Sequence, residues 1–169
     1  MSRELPRALI RNSFNILGLS PSASLKEIRK RSQQLLQMEK IEETQEFDTD
    51  IGNVRKFRNE NEIRLAFERL SSIKERIKEL FFWFDGHNIE NQKFISLISK
   101  KKYQEAIDHL ESTEKNSIDW LDYKNLGLAL MYQAFAFSSI ISFSRSLGIW
   151  HYLLESEDFW ICYEKNYLL

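Results

Sequence analysis

The residues best suited to chemistry in this chain are few and far apart. His87, His109 and His151 are isolated, without the His-x-x-x-His spacing that sets two imidazoles on one helical face around a metal. Asp48-Thr49-Asp50-Ile51-Gly52 has the Asp-x-Asp-x-Gly start of a calcium loop. Position 58, where that loop needs a Glu six residues after its glycine, is Arg. Cys162 is the single cysteine, which excludes an intrachain disulfide and a thiolate metal site; it reads as a small buried hydrophobe. There is no glycine-rich phosphate loop and no nucleophile elbow, and paired carboxylates such as Glu42-Glu43 lie in polar stretches of solvated surface. The chain is therefore expected to have no catalytic residues, no metal and no cofactor. What remains is fixed charge. Lys26, Arg29, Lys30 and Arg31 crowd into six residues, either as a surface that attracts an acidic protein or as a solvated helix face.

Those cations need a helix to hold them, and the stretch Phe14 to Leu36 provides the signals for one. Gly18 can take the left-handed conformation that ends a helix, and Pro21 prevents an immediate restart. Ser24 is a good N-cap with Glu27 three residues later, a capping-box signature. Leu25, Ile28, Ser32, Leu35 and Leu36 then fall on one helical face, with Lys26, Arg29, Lys30 and Gln33 opposite or flanking it.

This stretch resembles helix I, the loop and helix II of a J domain, by which DnaJ-type co-chaperones engage DnaK-type chaperones. The matching residues are Ile16-Leu17-Gly18-Leu19, Pro21, Ala23-Ser24 and Glu27-Ile28 with the basic run after them. Ala66-Phe67-Glu68-Arg69-Leu70-Ser71 and Lys74-Glu75-Arg76 resemble the family's third helix and its end, so the likeness covers roughly the first half of the chain. It implies that the basic face of helix II meets an acidic patch on a partner. It also implies a His-Pro-Asp tripeptide after helix II, the trigger of ATP hydrolysis in that partner. Counting along the helix, the tripeptide should fall at Lys40-Ile41-Glu42, and no His-Pro-Asp occurs anywhere in the sequence. The loop that follows, Glu42 to Asn61, is long and free of proline.

With 43% hydrophobic and 29% charged residues in 169, the composition is that of a folded protein able to bury a proper core. Only 5 Gly and 2 Pro point to long helices, and a net charge of −1 gives the whole molecule no attraction for nucleic acid. The N-terminus has scattered charges and no long apolar core, unlike a secretory signal, and a cytoplasmic location is the default expectation.

Taken in order, Leu5 to Ile16 reads as one helix with Pro6 near its start, and Gln37 to Glu46 as a polar tail of helix II. Asn61 to Phe84 carries an apolar stripe from Ile63 through Phe67, Leu70, Ile73, Ile77 and Leu80, with a break near Ser71-Ser72. Phe81-Phe82-Trp83-Phe84 cannot all face one side of a helix, so some must pack on another element, joining this half to the next. Beyond Ile89, two antiparallel helices joined at Lys100-Lys101-Lys102 are expected. Lys102-Tyr103-Gln104-Glu105-Ala106-Ile107 and Asn125-Leu126-Gly127-Leu128-Ala129-Leu130 resemble parts of successive tetratricopeptide repeats, with small residues where helices approach closely. Residues 125–144 carry no charge, which raises a transmembrane segment against a buried helical hairpin.

The fold expected is all-α: a J-domain-like helical hairpin unit (residues 1–86) packed against a small tetratricopeptide-like antiparallel helical array (residues 87–169). Three functions follow from it. The first is a non-catalytic protein–protein interaction adaptor, not an enzyme, with Lys26, Arg29, Lys30 and Arg31 as the partner-binding residues. The second is a co-chaperone that recruits a DnaK-type chaperone through the same helix. The third is a membrane-attached protein using residues 125–144. The aromatic C-terminal region, with Trp150, Phe159, Trp160 and Tyr163, suggests docking onto a larger assembly or a second copy of the chain.

Overall fold

A computed structural model describes residues 7–41, 43, 45–86, 89–112 and 119–167, and every regular element among them is helical. They form two compact units, residues 7–86 and residues 89–167.

The first unit opens with two short helices, α1 (Arg7–Ile10) and α2 (Ser13–Leu17), where one continuous helix was expected. Asn12 causes the interruption. Its side chain accepts from the Phe14 N–H as the N-cap of α2 and donates to the Glu79 carbonyl at 2.8 Å. The Glu79 carboxylate accepts from the Ser13 N–H at 2.6 Å, a negative charge placed at a helix start. Gly18 closes α2 at φ +59°, the left-handed turn its position demanded.

Helix α3 (Leu25–Lys40) begins with the full capping box: Ser24 Oγ accepts from the Glu27 N–H, and the Glu27 carboxylate accepts from the Ser24 N–H at 2.7 Å. The Ser24 hydroxyl, which donates to the Glu27 carboxylate, and then the Ser24 N–H hold that carboxyl below its ordinary value. The helix stops at Lys40 instead of running on towards Glu46, because Ile41 and Glu43 both turn their N–H groups back to the Met38 carbonyl. Ile28, Ser32 and Leu35 are its buried positions, whereas Leu25, expected on the same face, sits at the helix end and is exposed.

A 3-10 turn (Val54–Phe57) leads into α4 (Glu60–Ser71), capped by Asn59, and then α5 (Ile73–Phe81). The break falls at Ser72, where it was anticipated. Helix α4 is the centre of the unit and packs against α2, α3 and α5. Leu17, Ile28, Leu35, Ala66 and Leu70 are buried, but Phe67 is only half-buried and Ile73, read as part of the stripe, is exposed. Leu35 is 3% exposed, so Leu35→Ala should destabilise by roughly 2–5 kcal/mol in chemical denaturation, the range for emptying a packed site. In the aromatic run, Trp83 and Phe84 are buried, Phe81 is half-buried and Phe82 is exposed.

In the second unit, α6 (Ile89–Ser99) and α7 (Tyr103–Glu111) pack on each other across the three lysines, and the turn is made by Lys101 at φ 61°. Helices α8 (Trp120–Phe137) and α9 (Ile140–Glu155) form the most extensive helix pair, and α10 (Glu157–Tyr167) packs on both. The charge-free stretch 125–144 is therefore not one span. Ser138 caps α8 in the left-handed conformation (φ 56°), and Ser139 caps α9 by accepting from the Ser142 N–H. No helix among the described residues is long and apolar enough to cross a membrane.

Small and polar residues bring α8 and α9 together. A Cβ at Gly127 would lie 3.1 Å from Ile149 Cγ2 and 3.3 Å from Trp150 Nε1, and Ser146 Oγ donates to the Gly127 carbonyl at 2.8 Å. A second tie runs through three helices: Ser142 Oγ donates to Gln133 Oε1 (2.7 Å), and Gln133 Nε2 donates to Gln104 Oε1 (2.9 Å). Ala106 is buried in α7, which packs on α8.

Candidate functional site

Helix α3 is held at its start and along its buried side. At the start, the capping box fixes the first turn, and Arg76 of α5 donates to the carbonyls of Pro21 (3.1 Å) and Ala23 (2.6 Å) just before it. Along one side, Ile28 and Leu35 anchor the helix in the core. The opposite side presents Lys26, Arg29, Lys30, Gln33, Gln37 and Lys40, all exposed. Lys26, Arg29 and Lys30 make no hydrogen bond or ion pair among the described residues, so their charge is available to a partner. The only acidic side chain in the first turn, Glu27, is turned back onto Ser24.

Arg31 has a different place from the other three. It is half-buried, reaches the carbonyls of Leu17 (3.4 Å) and Gly18 (3.2 Å), and lies 4.3 Å from the centroid of the Phe47 ring. Burial first, and the neighbouring Arg58 second, push its pKa down. Its guanidinium therefore serves the fold, and the outward basic face is Lys26, Arg29 and Lys30.

The segment after α3 is pinned by interactions that the sequence did not disclose. Arg58 is buried and donates from Nε to the Ile16 carbonyl (2.8 Å), from Nη1 to the Gln45 carbonyl (2.7 Å) and from Nη2 to the Asn15 carbonyl (2.9 Å). It also holds the Asp50 carboxylate with both terminal nitrogens, one of them at 2.7 Å. Phe47 takes this second guanidinium at 4.6 Å from its ring centroid, so one ring meets two cations. Asn15 pairs with the backbone of Ile51, accepting from its N–H (3.0 Å) and donating to its carbonyl (2.9 Å). Asp50 is thus occupied by Arg58 and the Phe47 N–H, which is the physical reason that the Asp-x-Asp-x-Gly stretch builds a turn here. The signal that could have pointed to this arrangement was Arg58 itself, the cation standing where a calcium loop has its last carboxylate.

Of the segment 40–42, Lys40 ends α3 and Ile41 is exposed, while Glu42 lies outside the described residues. His87 also lies outside them. His151 stands 3.5 Å from Glu155 one turn on, and Cys162 is half-buried beside Asn166. Among the described residues no three His, Cys, Asp or Glu side chains are grouped to hold a metal.

No family model matches the chain, and neither a curated protein nor a solved structure does.

Proposed function

We propose that this chain is a non-catalytic protein–protein interaction adaptor, in which a J-like unit without its trigger presents a basic helix and a helical-repeat unit offers a second platform. The observation that carries this reading is the free basic face of α3, Lys26, Arg29 and Lys30, on a helix held at its start and along its buried side and followed by Lys40-Ile41 with no His-Pro-Asp. Charge of one sign on a fixed helix steers an acidic partner from a distance, and a J-like arrangement without the tripeptide keeps that steering while losing the trigger. The resemblance to J domains and tetratricopeptide repeats supports the reading through sequence alone.

The test starts with affinity purification of the full chain to recover its partner. Arg29→Glu combined with Lys30→Glu should then slow association by about tenfold or more, and the rate should fall with salt because exposed charges lose reach beyond a Debye length of ~8 Å at physiological ionic strength. Helical circular dichroism should stay unchanged, since both side chains point away from the core. An association rate indifferent to the reversal and to salt would leave α3 as solvated surface and end the proposal. Stimulation of a DnaK-type ATPase by the wild-type chain, lost in the reversed variant, would replace the adaptor with a co-chaperone.

A further inference from the structure

Helix α9 buries Trp150 and Leu153 together with Ser142 and Ser146, yet it carries a second apolar face: Ile140, Ile141, Phe143, Leu147 and Leu154 are exposed. Ile140 is 80% exposed, Leu147 54% and Leu154 50%. With Phe135 of α8, whose ring meets Phe143 edge-on at 6.4 Å, these side chains leave on the order of 600 Å² of apolar surface open. That is the upper end of what a monomer exposes, and it approaches the ~800 Å² that each partner contributes to a standard interface.

The pattern on this face points to its occupant. Ile140, Leu147 and Leu154 recur every seven residues, the spacing that keeps one seam turned towards a neighbouring helix. The seam is also symmetric about Leu147. When two copies of α9 run antiparallel about a twofold axis at Leu147, Ile140 meets the partner's Leu154, Leu147 meets the partner's Leu147, and Phe143 lies against the partner's His151. A twofold interface requires this reciprocity, in which each residue finds its mate on the same patch of the other copy. Gly148 stands beside the axis with nothing within 4 Å of where its Cβ would be, so it lets the two backbones approach. The helix ends agree with the same arrangement. The first turn of α9 has no acidic residue, and the antiparallel register brings the partner's Glu155 to it, a negative charge beside a helix N-terminus. Arg145, the other charged residue of α9, is directed to Glu111 of its own chain. We propose that a second copy of this chain docks antiparallel along α9 through Ile140, Leu147 and Leu154. This inference is independent of the basic face of α3.

Sedimentation of the full chain across the micromolar range tests it. The wild type should dimerise with concentration. Leu147→Glu and Leu147→Lys, each placing like charges face to face on the axis, should weaken self-association at least about a hundredfold. An equimolar mixture of the two variants should restore the dimer. The register has its own test: Ile140→Glu should also give monomers, and adding Leu154→Lys to the same chain should recover the dimer, because position 140 faces position 154 across an antiparallel pair. Ile140→Glu serves in place of Leu147→Glu if the latter loses its helical circular dichroism. A wild type that stays monomeric, a dimer untouched by the Glu variants, or a mixture or double variant that fails to recover would each overturn the proposal.

Discussion

Arg58→Ala should be the most damaging single substitution in the N-terminal unit, with a loss of roughly 3–5 kcal/mol in chemical denaturation, as for a buried ion pair robbed of one partner. The side chain spans three carbonyls and a carboxylate, those of Asn15, Ile16, Gln45 and Asp50. The Ile16 carbonyl at the end of α2 would lose the Arg58 donor, the Asn15 carbonyl would keep only the Gly18 N–H, and Asp50 would keep a charge without its mate. Phe47 would keep only Arg31 against its ring. Arg58→Lys should rescue little, because an ammonium cannot reproduce the planar fork that reaches all four acceptors. A loss below about 1 kcal/mol, the size of a single ordinary hydrogen bond, would show that the loop is not fastened through Arg58.

Gly18→Ala should follow, at roughly 2–4 kcal/mol, from two causes that act together. A φ of +59° costs any residue with a Cβ, and the Cβ built there would overlap the Phe47 ring. Phe47 has little room to yield, since two guanidiniums lie within 4.6 Å of its ring centroid. The two causes are separable. In a Phe47→Ala background the clash disappears, and Gly18→Ala should then cost only the conformational part, about 1–2 kcal/mol. Equal costs in both backgrounds would show that Phe47 does not pack on the turn.

What could be read from the sequence was whatever its own neighbours determine. Ser24 and Glu27 satisfy each other within one turn, Gly18 ends a helix by its own backbone freedom, and Ser72 breaks a helix between two local runs. The all-helical character followed from the same local signals. The fastening of the loop was illegible because its partners lie far along the chain: Asn15 meets Ile51, and Arg58 meets Asn15 and Ile16. Arg31 looked like its three basic neighbours, and only the position of Phe47 separates it from them. Residues 125–144 fall in a helical hairpin and not in a single span, a choice that their composition alone left open. A serine in the left-handed conformation divides them, which uncharged residues do not announce, and α9 then turns Ser142 and Ser146 inwards while Ile140 and Ile141 stay exposed.

The capping of α2 also constrains when that part of the chain can fold. Beyond the local bond from the Phe14 N–H to Asn12, Asn12 and Ser13 find their partner in Glu79, so the start of the second helix is completed only when a residue 67 positions after Asn12 has been made. At ~5–20 residues per second, the N-terminal segment waits several seconds during synthesis before its closing contact exists. The ties of the other unit are shorter: Gln133 with Ser142 spans 9 positions, Gly127 with Ser146 19, Gln104 with Gln133 29 and Glu111 with Arg145 34. Short closures form fast and long ones slowly, so the half of the molecule made first is the half whose ties take longer to close.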